Sequence, residues 1–175
     1  MAEAYINIGS NTGDRPGYIS KAVDLIKESF RTGIKVSSPI VTEPWGFESD
    51  SLFINIGVTV TTELAPEHLL DLLQSIEQSI DTSPHRNPDG SYRDRRIDID
   101  LIAVDTEIVD TPRLRLPHPR MEEREFVLRP MAELMPDWRH PLTGLTPLEM
   151  LARLNDSSPD SSDGKSAPTI TTIYP

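Results

Sequence analysis

The chain has 175 residues, enough for one domain with a sizeable core, and 37% hydrophobic against 26% charged residues is ordinary for a globular protein. A formal net charge of −11 argues against non-specific nucleic-acid binding, which needs a positive surface. The lack of cysteine excludes a disulfide framework, thiol chemistry and thiolate metal sites, and no apolar run approaches a membrane span. Met1-Ala2-Glu3 leads directly into a strand pattern with no signal peptide, so a cytoplasmic protein is expected.

Ala4 to Gly9 alternates and predicts a first strand. Ser10-Asn11-Thr12-Gly13-Asp14 reads as a turn, with Asp14 placed to cap a helix from Pro16 to Phe30. Ile34 to Val41 predicts a second strand, Thr42 to Asp50 an aromatic loop, and Leu52 to Thr62 a long third strand. A second helix covers Pro66 to Ile80, opened by Pro66 and Glu67. Asp81 to Arg96 is a polar loop, long enough to imply function.

The next strand carries the most information. In Ile97-Asp98-Ile99-Asp100-Leu101, alternation sends Ile97, Ile99 and Leu101 to one face and both aspartates to the other. Carboxylates about 7 Å apart along a strand repel unless positive charge sits nearby. One solution is a hard divalent cation such as Mg²⁺, which shares its oxygen shell with phosphates. The other is a solvated edge or salt bridges to neighbouring arginines.

Lysine and arginine are absent from Ile40 through His85, and arginine alone then clusters at 86, 93, 95, 96, 113, 115, 120, 124 and 129. The guanidinium fork suits bidentate phosphate contacts, although helix-surface pairing with nearby acids would account for about half of such arginines. Glu107 to Asp110 predicts a short hairpin partner, and Arg120–Glu123 and Phe126–Leu134 predict helical stretches. Thr146-Pro147-Leu148-Glu149 is a capping box opening a last helix from Pro147 to Leu154. Residues 156–175 read as a polar tail beyond a domain of residues 1–155.

Strand, helix, strand, strand, helix, strand is the order of an α+β ferredoxin-like βαββαβ fold, an antiparallel sheet with helices packed on it and here appended C-terminal helices.

Five motifs in order resemble one family. They are Tyr5-Ile6-Asn7-Ile8-Gly9-Ser10-Asn11; Val36-Ser37-Ser38 leading to Thr42-Glu43-Pro44-Trp45-Gly46; Phe53-Ile54-Asn55; Asp94-Arg95-Arg96-Ile97-Asp98-Ile99-Asp100-Leu101; and Leu116-Pro117-His118-Pro119-Arg120-Met121 running to Arg124-Glu125-Phe126. With Glu77 in the second helix, they resemble 6-hydroxymethyl-7,8-dihydropterin pyrophosphokinase, which moves pyrophosphate from ATP to a pterin in folate biosynthesis. The resemblance implies Asp98 and Asp100 as ligands of two Mg²⁺ ions, with Arg95 beside them in the catalytic set. It implies pterin contacts at Thr42, Pro44, Trp45, Phe53, Asn55 and Phe126. It implies ATP contacts at Glu77, Tyr92, Arg95, Arg113, His118 and Arg124. Where family members carry an Arg-Trp-Gly-Pro-Arg-Thr run, this chain has Tyr92 for the tryptophan and Arg96 for the threonine. Arg86 and Arg93 are then candidate phosphate clamps on a loop expected to close over ATP. ATP and the pterin are the expected partners of a monomer, without nucleic acid or membrane. The same aspartates would also serve a two-metal nucleotidyltransferase or phosphohydrolase, and the fold would serve a non-catalytic ligand-binding module.

Overall fold

A computed structural model of the chain describes residues 1–43, 51–82 and 94–156. The expected aromatic loop, with Pro44 and Trp45, the loop carrying Arg86, Tyr92 and Arg93, and the tail from residue 157 lie outside the described residues. The elements are β1 (Ala2–Ser10), α1 (Arg15–Phe30), β2 (Lys35–Val36), β3 (Ile40–Thr42), β4 (Phe53–Thr62), α2 (Pro66–Ile80), β5 (Asp98–Val104), β6 (Val109–Asp110), β7 (Arg115–Leu116), α3 (Glu125–Leu134) and α4 (Pro147–Asp156), with a 3₁₀ turn at Met121–Glu123.

One antiparallel sheet runs in the order β2-β4-β1-β5, with β3 also paired to β4. α1 and α2 pack on one face through Ile19, Ile26, Leu69 and Leu73 against Ile6, Ile8, Val58 and Leu101. α3 and α4 cover part of the other face, where Met131 and Met150 gather around Tyr5 and Ile102. Local chemistry sets the helix starts. Asp14 Oδ1 accepts from Gly17 N at 3.2 Å, and Thr146 and Glu149 make the reciprocal bonds of the capping box.

Two expectations need correction. The single strand over Ile34–Val41 is two, because Pro39 offers no N–H and the intervening serines bond elsewhere. Ser37 exchanges bonds with Gly57 through its own backbone and hydroxyl, and Ser38 N donates to the Glu133 carboxylate of α3. The hairpin partner at 107–110 does not pair with the acidic strand. Asp105 turns the chain in the left-handed region (φ 43°), and Val109–Asp110 pairs with Arg115–Leu116, a strand not anticipated. Thr111 and Leu114 close that small hairpin by mutual hydrogen bonds. α4 runs two residues past the expected Pro147–Leu154 helix, through Asn155 and Asp156.

Gly57 marks a close approach between the sheet and α3. A Cβ there would lie 2.6 Å from the Tyr5 hydroxyl and 2.9 Å from Pro130 Cβ. Tyr5 is fully buried and donates to Val127 O at 3.0 Å, so it has nowhere to retreat. Gly57→Ala is expected to destabilise the fold by about 1–3 kcal/mol, the usual range for overpacking, measured by urea unfolding. An unchanged midpoint would contradict that packing.

Candidate active site

Two recesses meet at the start of β5. The first, about 150 Å³, is lined by Asn7 of β1, Thr42 of β3, Phe53 and Asn55 of β4, Arg95, Asp98 and Asp100 before and within β5, and His118, Arg124 and Phe126 beyond it. The second lies between α2 and the β6–β7 hairpin and includes Glu77, Asp98, Asp100, Arg113 and His118. Asp98, Asp100 and His118 therefore belong to both.

The sheet explains why these residues meet. Asn7 stands opposite Asp100 on one side and Gly57 on the other, while Gly9 stands opposite Asp98 and Asn55. Side chains of Asn7, Asn55, Asp98 and Asp100 thus share one face at one end of three adjacent strands. Their apolar neighbours Ile97, Ile99 and Leu101 enter the α1–α2 core, as the alternation predicts.

Electrostatics at the aspartates are tight. Arg95 Nη1 lies 2.6 Å from Asp98 Oδ1, and Arg124 Nη1 lies 3.5 Å from Asp100 Oδ2. Burial raises the Asp100 pKa above its ordinary value, and Arg124 and Arg95 only partly offset this. Glu77 reaches across from α2, its Oε2 accepting Ile99 N at 2.7 Å. Burial lifts its carboxyl to about 7, with the Ile99 N–H opposing and both aspartate charges adding. His118 is held neutral, pushed to about 4 by burial and by Arg124 and Arg120. Its Nδ1 accepts Arg120 N at 3.2 Å, so Nε2 carries the proton and is a donor.

At the other end of the first recess, Asn55 is buried and its Nδ2 donates to Thr42 Oγ1 at 3.0 Å, which orients the amide. The Arg124 guanidinium sits over the Phe126 ring, 5.7 Å from its centroid. Phe53 is 9% exposed and Phe126 is half-buried, so both offer ring surface to the recess. Gly9 permits this crowding: a Cβ there would lie 2.8 Å from Asn55 Oδ1 and 3.4 Å from Phe53 Cδ1.

Of the residues expected at the site, Thr42, Phe53, Asn55, Glu77, Arg95, Asp98, Asp100, Arg113, His118, Arg124 and Phe126 line these two recesses. Arg113 pairs with exposed Asp71 at the outer rim. Arg115 and Arg129 pair with Asp110 and Glu125 at the surface. Sequence reasoning gave no role to Asn7 or Asn11. Asn7 Oδ1 is buried with no hydrogen-bond partner among the described residues. Its signal was a lone amide in an otherwise apolar strand.

Paired carboxylates, arginine countercharge and two adjoining recesses on an antiparallel sheet are the parts that a phosphoryl-type transferase of the α+β class uses. A profile of the 7,8-dihydro-6-hydroxymethylpterin-pyrophosphokinase family matches residues 5–136. The chain belongs to this family. It is 39% identical over 142 residues to a 2-amino-4-hydroxy-6-hydroxymethyldihydropteridine pyrophosphokinase of Porphyromonas gingivalis, covering 81% of this chain and 95% of that one. The relative of the same name from Bacillus subtilis is 40% identical over 132 residues, 75% and 77% of the two chains. Another from Methylorubrum extorquens is 38% identical over 165 residues, 90% and 96%.

Solved structures agree on the fold. An HPPK-DHPS structure in complex with substrates superposes with a TM-score of 0.65 at 14% identity, over 89% of this chain and 45% of that one. A Plasmodium falciparum HPPK-DHPS A437G structure with SDX-DHP gives 0.64 over the same shares. The chain thus spans under half the length of those two.

Proposed function

We propose that the chain transfers pyrophosphate from ATP to the hydroxymethyl group of 6-hydroxymethyl-7,8-dihydropterin, giving AMP and the pterin pyrophosphate in folate biosynthesis. The observation that carries this reading is the position of Asp98 and Asp100 where a small aromatic-and-amide recess opens into a larger cleft. The hydroxymethyl oxygen bonds to the β-phosphorus, the bond from that phosphorus to the bridging oxygen of AMP breaks, and the hydroxyl proton is released. Such transfer asks the protein chiefly to position groups and offset charge.

Each side chain then has a task. Phe53 and Phe126 flank the pterin ring, and Asn55, held by Thr42, supplies both an acceptor and a donor to its edge. Pro44 and Trp45 complete that recognition. Arg95, Arg124 and the Nε2–H of His118 face phosphate oxygens, with Arg113, Tyr92 and Glu77 on the ATP side. Arg86 and Arg93 are the candidate clamps.

The donor set fits Mg²⁺. Asp98 and Asp100 present oxygen donors from one strand face, and the desolvated Asp100 charge is one that a cation relieves. The two aspartates would hold two ions, which when bound supply countercharge to the triphosphate. We also read the strand order as the ferredoxin-like plan, residues 1–155 as the working domain with a tail after it, and the protein as a cytoplasmic monomer.

Incubating the protein with Mg²⁺, ATP and 6-hydroxymethyl-7,8-dihydropterin is expected to yield AMP in step with pterin pyrophosphate. Appearance of ADP, or no product, would sink the reading.

A further inference from the structure

Asn11 lies just past the end of β1, 1% exposed, and its side chain points at the segment leading into β5. Its Oδ1 accepts Arg95 N at 2.8 Å, and its Nδ2 donates to Asp94 Oδ1 at 2.7 Å. Its backbone N–H donates to Arg95 O at 3.1 Å. Three bonds from one buried residue thus hold both backbone polar groups of Arg95 and the side chain before it. They continue the β1–β5 contact beyond the last paired residues, Gly9 and Asp98.

This grip acts on a catalytic geometry. The Arg95 guanidinium meets Asp98 at 2.6 Å, and its side chain, 13% exposed, lines the first recess. An arginine side chain has many rotamers, so its placement depends on a fixed backbone origin. Loss of the two side-chain bonds would loosen the segment before β5 from the end of β1 and widen the range of positions open to the guanidinium.

We propose that Asn11, working with Asp94, is a positioning residue for the transfer step: it fixes the backbone of Arg95 so that the guanidinium is pre-organised beside Asp98. The inference rests on the pyrophosphokinase reading and adds to it a supporting pair outside the recess lining. The Asn11–Asp94 bond is directional, an amide donor meeting a carboxylate acceptor, and this makes it testable by exchange. Asn11→Asp keeps an acceptor for Arg95 N–H but sets two carboxylates against each other. Adding Asp94→Asn restores a donor–acceptor pair with the roles reversed.

Wild-type AMP formation is measured first, which tests the pyrophosphokinase reading separately. Asn11→Asp is then expected to lower kcat about 10- to 100-fold, the scale of a misplaced catalytic group, with KM for the pterin little changed. The Asn11→Asp/Asp94→Asn double variant is expected to return to within about threefold of wild type. Thermal melts of each protein accompany the assays, and Asp94→Ala, at an exposed position, gives a second variant that removes the bond without burying a charge. Its kcat is expected to fall about 3- to 10-fold, the worth of one hydrogen bond. An Asn11→Asp enzyme with unchanged kcat, a double variant no faster than the single one, or an Asp94→Ala enzyme with lowered melting temperature but full kcat would each overturn the proposal.

Discussion

Asp100→Asn is expected to lower AMP formation about 1000-fold while leaving the ligand-free protein as stable as wild type or more so. The catalytic loss follows from weakening the proposed Mg²⁺ seat, and with it the countercharge the ions would supply to the triphosphate, where single stabilising groups are worth about 10²–10³ in kcat. The stability gain follows from burial. Because the folded protein raises the Asp100 pKa, it binds that proton more tightly than the unfolded chain does. Stability is therefore lost as pH rises from the ordinary carboxylate range through the raised value, and an uncharged amide escapes this loss. Melting temperatures at pH 5 and pH 8 should show the wild type falling further than the variant. Activity within tenfold of wild type would remove Asp100 from the reaction. A variant that melts lower at both pH values would mean that its charge holds the fold together. Asp98→Asn is expected to be as inactive, but without the gain, since the 2.6 Å contact with Arg95 is lost with the charge.

Gly9→Ala should weaken the pterin side of the reaction specifically. The new methyl would press on Asn55 Oδ1 at 2.8 Å, and Asn55 is buried against Thr42 with little room to yield. A displaced amide loses its aim at the ring edge. A buried hydrogen-bonding group left mismatched costs about 1–3 kcal/mol, which corresponds to about 10- to 100-fold in kcat/KM for the pterin. Asn55→Ala is expected to do the same by deleting the amide. KM for ATP should stay within about twofold in both, because the recess proposed for the nucleotide lies beyond the aspartates. Equal losses for both substrates would show that the two recesses are not separable in this way.

Much of this arrangement was legible because period-two alternation is a local signal. The split of Ile97, Ile99 and Leu101 from Asp98 and Asp100 needed only the strand, and the capping box at Thr146 needed only four residues. What was hidden depends on pairing. Alternation from Asp98 and Asp100 puts Ile102 on the α3 side, but the register shift between Tyr5 and Ile6 changes the phase after it, so that Ala103 joins Ile102 there and Val104 enters the α1–α2 core. Nothing in β5 alone announces that shift. Glu77 is 22 residues from Ile99, so its bond to that N–H could not be read from either segment. Asn11 appears in sequence as one more turn residue, and only the fold shows its amide turned toward Arg95.

Tyr5, Gly57 and Ile102 belong to the layer under α3, and two residues along the same strands stand Asn7, Asn55 and Asp100. The sheet therefore gives up apolar contact over part of one face to make room for chemistry. A flat ring lying between Phe53 and Phe126 would restore what is missing there, acting as a removable piece of the second core. On that view the substrate is also a structural element, and its departure returns the enzyme to an incompletely packed state.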